Sequence, residues 1–161
     1  MNPFIGAVVQ TASVAFDPAR TVEKLGDYAV KAAAQGAKLV VFPEAFVGGY
    51  PKGLDFGARV GSRSAAGRDA FRVYYDGAIE VPGPHAARMG EIAAANSIYL
   101  VTGIIERDQG TLYCTVLHYA PDGTLIGKHR KLMPTAAERL VWGFGDGSTL
   151  PVFDTPHGKL G

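Results

Sequence analysis

Cysteine is nearly missing from this sequence: one residue, Cys114, in 161. A single thiol excludes an internal disulfide and any zinc motif built on paired cysteines, and it fits a reducing compartment, so a cytoplasmic location is expected. Charge of either sign is equally scarce in the balance. Lys+Arg 16 against Asp+Glu 15 leaves a formal charge of +1, which gives no electrostatic case for nucleic acid or an anionic membrane. The four histidines, at 85, 118, 129 and 157, show no ligand spacing, so no metal is expected. Repeats and low-complexity tracts are absent. The uncharged opening, residues 1–16, has no basic start, and its apolar run 4–9 falls far short of the ~20 residues a membrane span needs. It reads as a first buried strand.

Apolar material is plentiful. At 47% hydrophobic content, one core is within reach, since a chain of this size buries about 70% of its unfolded surface. The pattern alternates. Asp17-Pro18 reads as an N-cap and first-turn proline, and Val22, Leu25, Ala29, Ala32 and Ala33 follow at helical spacing. Residues 38–42 read as the next strand, and Pro84 opens a second helix with Met89, Ile92 and Ala93 on one face. Residues 98–105 return as a strand. Residues 111–119 alternate, Pro121-Asp122-Gly123 supplies turn chemistry, and 124–130 completes a hairpin. A last short strand is expected over 149–154, and 53–83 reads as a long irregular segment. Strands joined by both helical crossovers and a hairpin predict an α/β fold: one mixed sheet with helices on one face.

Two places carry chemistry. The strand 38–42 runs into Pro43 and the carboxylate of Glu44, and the hairpin strand runs into Lys131. A glutamate and a lysine at two strand ends point to a shared cleft, with the charged groups facing each other. Beyond Lys131, a charged turn holds Glu138-Arg139, and a loop holds glycines at 143, 145 and 147. Those glycines do not follow a strand into a helix, so a dinucleotide site is excluded. Cys114 sits inside an alternating strand without an adjacent acid or histidine. It is expected to be buried, out of reach of the cleft and inert.

The set Phe42-Pro43-Glu44-Ala45-Phe46, Gly48-Gly49-Tyr50-Pro51, His129-Arg130-Lys131-Leu132-Met133-Pro134-Thr135, Glu138-Arg139 and Val141-Trp142-Gly143-Phe144-Gly145-Asp146-Gly147-Ser148 resembles the nitrilase branch of the carbon-nitrogen hydrolase superfamily. The resemblance implies half of a four-layer α-β-β-α sandwich, with Glu44 and Lys131 as two members of a Glu-Lys-Cys triad and Glu138 as a second glutamate. It also implies a homo-oligomer, a small-molecule nitrile or amide substrate and no cofactor. In the family the cysteine lies on the strand after the stretch matching His157-Gly158-Lys159-Leu160-Gly161. Residues 1–161 are therefore expected to be the N-terminal part of one domain, truncated before its nucleophile and inactive alone. The expected activity is that of a nitrilase, with an amidase of the same superfamily, or an inactive binding or assembly module, as the alternatives.

Overall fold

The computed structural model describes residues 3–59, 61 and 63–161. The chain runs β1 (Ile5–Val8), α1 (Pro18–Ala34), β2 (Ala37–Val41), α2 (Ala65–Asp76), α3 (Pro84–Asn96), β3 (Tyr99–Asp108), β4 (Thr111–Tyr119) and β5 (Leu125–Arg130). Two short 3₁₀ helices, Ala136–Leu140 and Gly147–Thr149, then lead to β6 (Phe153–Thr155) and β7 (Gly158–Leu160). The main sheet has the order β1-β2-β3-β4-β5. Its first three strands are parallel, and β3, β4 and β5 are antiparallel. This is the mixed sheet the sequence predicts.

Helices α1 and α3 pack side by side on one face. Asp17 caps α1 by accepting the Arg20 N–H at 3.0 Å, which satisfies an otherwise orphaned donor, and Pro18 needs no partner in the first turn. Val22, Leu25, Ala29 and Ala32 then form the buried stripe of α1, facing Ala86, Met89, Ile92 and Ala93 of α3. Beneath them lie Val40, Leu100, Ile104, Leu117 and Tyr119 of the sheet. Each large apolar side chain removed from water here contributes about 1.5–3 kcal/mol. The Tyr119 hydroxyl donates to the Ala86 carbonyl at 2.8 Å, so this buried polar group is satisfied.

A second, smaller cluster gathers Ala45, Tyr74, Ala78, Ile105, Leu112, Cys114 and Trp142. It involves α2, which the sequence reading missed within 53–83. Ser64 caps this helix by accepting the Gly67 N–H, and Phe71, Tyr74 and Tyr75 turn one side toward the cluster. Glycine and arginine around it disguised the helical spacing; Val60 and Ser62 of the same segment lie outside the described residues.

Two other expectations are corrected. The strand over 149–154 is instead the end of a 3₁₀ helix followed by β6, which pairs with β7. Asp146 accepts the Ser148 N–H and turns the chain, and Pro151 has no N–H to give a ladder. The first strand is not buried either. β1 pairs with β2 alone in the main sheet, leaving Ile5 54% and Val8 85% exposed. Among the described residues, no helix is long and apolar enough to cross a membrane.

Candidate active site

After β2 the chain keeps to the edge of β3. Phe42 N–H donates to the Val101 carbonyl at 2.9 Å, Gly103 N–H to Pro43 at 3.2 Å, and Val47 N–H to Gly103 at 3.1 Å. Gly103 permits this course. A Cβ there would lie 2.5 Å from the Pro43 oxygen and 2.7 Å from Glu44 Cα, closer than atoms can approach. The backbone of Glu44 thus rests on a strand position that has no side chain. Ala45 adopts a left-handed φ of 52°, and its methyl group, with Phe42 and Phe46, is buried. Those anchors hold the segment while the Glu44 side chain stays 51% exposed.

Lys131 follows the last residue of β5. Its N–H donates to the Cys114 carbonyl at 2.8 Å, and its carbonyl accepts from Gly145 at 2.9 Å, so its backbone is fixed on both sides. Its ammonium donates to Glu44 Oε1 at 2.9 Å and to Glu138 Oε2 at 2.9 Å. Burial alone would lower the Lys131 pKa; the two carboxylates override that and hold it above its ordinary value. The lysine stays charged at any physiological pH.

Glu138 is placed by a capping box. It is the third residue of the 3₁₀ helix after Thr135, and its Oε2 accepts the Thr135 N–H at 2.5 Å. Tyr50 donates its hydroxyl to Oε1 at 2.7 Å. Burial works against the charged form of Glu138, but these donors and Lys131 outweigh it and leave the carboxyl below its ordinary range. Glu44, Lys131 and Glu138 are thus brought into one cluster. It borders an open groove of about 360 Å³ lined by Ser13, Pro43, Glu44, Phe46, Gly49 and Tyr50.

Cys114 is where the expectation fails. The side chain is buried, at 4% exposure, but it is not out of reach: its Sγ lies 3.5 Å from Glu44 Oε1. The alternation of β4 correctly turns Cys114 inward. What the pattern cannot tell is that the inward face at this end of β4 looks across β3 at the Glu44 segment. Burial first, then the Glu44 charge, push its thiol up to about 12, so little thiolate exists at neutral pH.

Three aromatic residues and a glycine were given no role in the site by the sequence reading. Tyr50 holds Glu138 and meets the Trp142 ring edge-on at 5.6 Å. Trp142 lies under the Lys131 ammonium, 5.8 Å from ring centre to Nζ, and donates its indole N–H to Tyr74 Oη at 3.0 Å. Gly103 carried a legible signal, since glycine inside a strand often marks a close backbone approach. Among the described residues, no group of three or more His, Cys, Asp or Glu forms a candidate metal site. The arrangement offers a half-exposed carboxylate able to take a proton, beside a fixed ammonium able to stabilise negative charge.

The carbon-nitrogen hydrolase family model matches residues 7–161. Nitrilase 1 of Arabidopsis thaliana is 55% identical over 154 residues, covering 96% of this chain and 44% of that protein. An aliphatic nitrilase of Sinorhizobium fredii is 54% identical over 161 residues, covering 100% of this chain and 52% of that protein. The chain spans about half the length of the curated relatives it matches, in their N-terminal part. Among solved structures, an amidase from Nesterenkonia sp. superposes with a TM-score of 0.67 at 23% identity, over 93% of this chain and 51% of that one. Nit3 of Saccharomyces cerevisiae, a nitrilase-superfamily member, gives a TM-score of 0.65 at 24% identity, over 96% and 52%. At those identities the likeness is one of fold: an α/β unit with a mixed sheet and helices on one face, half of the four-layer sandwich.

Proposed function

Because the chain belongs to the carbon-nitrogen hydrolase family, we propose that it is the glutamate- and lysine-bearing part of a nitrilase that converts a nitrile to a carboxylic acid and ammonia. The observation that carries this reading is the Lys131 ammonium, held at 2.9 Å from both Glu44 and Glu138, with Glu44 itself lining the adjoining groove. Identities of 54–55% to nitrilases favour a nitrile over an amide.

A nitrile carbon is a poor electrophile and calls for a thiolate. The thiol of Cys114, buried and pushed up to about 12, is a poor source of one. The nucleophilic cysteine is therefore assigned to a part of the protein outside residues 1–161, whose N-terminal position in a single domain is part of the same proposal. Glu44 accepts the proton of that thiol. As the S–C bond forms and a C–N π bond breaks, the nitrogen gains negative charge next to Lys131, where a fixed cation is most effective in a site closed to water. Protonation by Glu44 gives the thioimidate. Water adds, the C–N bond breaks, ammonia leaves, and the resulting thioester is hydrolysed by a second water, again with Glu44 as base. Glu138 keeps Lys131 oriented throughout. The enzyme is expected to act in the cytoplasm, as a homo-oligomer.

Ammonia release from a nitrile panel and an amide panel tests this. The complete gene product should hydrolyse nitriles, and residues 1–161 alone should release nothing. Hydrolysis of amides only would make it an amidase, and silence on both panels would leave an inactive binding or assembly module.

A further inference from the structure

The proposed reaction gives Cys114 no task, yet its sulfur lies 3.5 Å from an oxygen of the proposed base. The thiol lies among Ala45, Tyr74, Ile105, Leu112 and Trp142, a largely apolar wall, and the hydrogen bond given to its Sγ runs to Glu44 Oε1 at 3.5 Å. The same oxygen accepts from Lys131 at 2.9 Å. Oε2 of Glu44 has no hydrogen-bond partner among the described residues. The backbone adds a second tie, because the Cys114 carbonyl accepts the Lys131 N–H at 2.8 Å. One residue of β4 thus touches the base through its side chain and the cation through its main chain.

We propose that Cys114 is a positioning residue: its S–H donates to Oε1 of Glu44 and, with Lys131, pins that oxygen, so that Oε2 is the one presented to the reacting proton. The assignment of Oε2 rests on the nitrilase reading; the thiol-to-carboxylate contact does not. The residue type suits the task. A thiol is a weak donor, so it orients the carboxylate without competing strongly for the electron pair that must take a proton. A buried hydroxyl would bind that oxygen more firmly, and alanine would leave a void and a carboxylate free to rotate. Burial, which keeps the thiol protonated, keeps it a donor.

The test has a spectroscopic arm and a kinetic arm, both on the complete gene product. The infrared difference spectrum between wild type and Cys114→Ser isolates the S–H stretch of this one thiol. That band is expected at lower wavenumber than a free thiol and should move up in Glu44→Ala, or in Glu44→Gln should the alanine variant fail to fold. A band that stays in place in the folded Glu44 variant overturns the proposal, whether or not the protein hydrolyses nitriles. In the kinetic arm, Cys114→Ala and the space-filling Cys114→Val should each lose about five- to tenfold in kcat with KM within about twofold, while Cys114→Ser recovers most of the loss. Wild-type kcat in Cys114→Val overturns the positioning role. Failure of the wild type on both nitriles and amides overturns the proposed function instead, leaving the band to decide the contact.

Discussion

Two clusters of acids and cations sit at the same end of β5, and they have opposite characters. Arg130 and Lys131 are neighbours in sequence, but strand alternation sends them to opposite faces. Arg130 joins Lys128 and Thr115 around Glu106, which is only 1% exposed. Both Glu106 oxygens are taken: Arg130 donates to each, Lys128 to Oε1 and Thr115 to Oε2. Arg130 also reaches Asp108 and lies 3.9 Å from the centre of the Tyr113 ring. Lys131, on the other face, meets a Glu44 that is half exposed and, among the described residues, bonded through one oxygen only. The same residue types make a structural knot around Glu106, where every lone pair is matched, and an open arrangement around Glu44, where one oxygen has no donor among the described residues.

The sharpest way to break the comparison is to neutralise each acid in turn. Glu44→Gln should lower nitrile hydrolysis by about 10²–10⁴-fold, the usual worth of a general base, while urea unfolding shifts by less than about 0.5 kcal/mol. Glu106→Ala should do the reverse, costing about 3–5 kcal/mol of unfolding free energy because it strands two cations in a poorly solvated place. If both substitutions moved the same observable, the division of labour would be wrong.

Acid should separate them next. Burial raises the Glu106 carboxyl, but hydrogen bonds from Arg130, Lys128 and Thr115 more than reverse this and leave it below the ordinary 4.5. A carboxyl depressed in the folded state contributes stability that is complete above the unfolded value and disappears as pH falls through the folded one. Thermal melts should therefore lose ground below about pH 4.5, and Glu106→Gln should be less stable at neutral pH yet show a flatter acid limb. An unchanged limb would remove Glu106 from the account.

The smallest effect concerns the partner of Glu138. Tyr50→Phe deletes the hydroxyl that donates to Oε1 and should cost about 1 kcal/mol, seen as a roughly fivefold fall in kcat/KM. A loss as large as that of Glu44→Gln would mean that Tyr50 takes part in proton transfer itself.

Much of this was legible from the residues. Asp17-Pro18, the apolar spacing after it, and the alternation of 111–119 specify α1 and β4 by local rules that the tertiary structure does not override. The meeting of Glu44 with Lys131 was legible as well, since Glu44 follows an apolar strand and Lys131 the cationic end of the hairpin strand, each where a strand gives way to a turn. What escaped depends on strand order. Cys114 is placed within reach of Glu44 only because β3 separates their strands and carries a glycine at the crossing, and periodicity within β4 contains no such information. The exposed β1 was misread for a related reason, because an apolar run looks the same on an edge as in the middle of a sheet. Helix α2 escaped because its cap and inward aromatic residues sit among glycines and arginines that resemble a loop.

The alternation along β5 also makes the site a matter of parity. Arg130 pairs in register with Thr115 and is followed at once by Lys131, so a slip of the strand by a single residue would exchange their faces. A slip in one direction would put Arg130 in the place of Lys131, against Glu44, and a slip in the other would put Lys131 in the place of Arg130, against the buried Glu106, so either leaves the cluster chemically mismatched. Changes in the turn between β4 and β5 are therefore tolerable in either direction only when they preserve an even count along the strand. The bulge at His118 and Tyr119 lies near that turn, where an extra residue can be absorbed before it reaches the lysine.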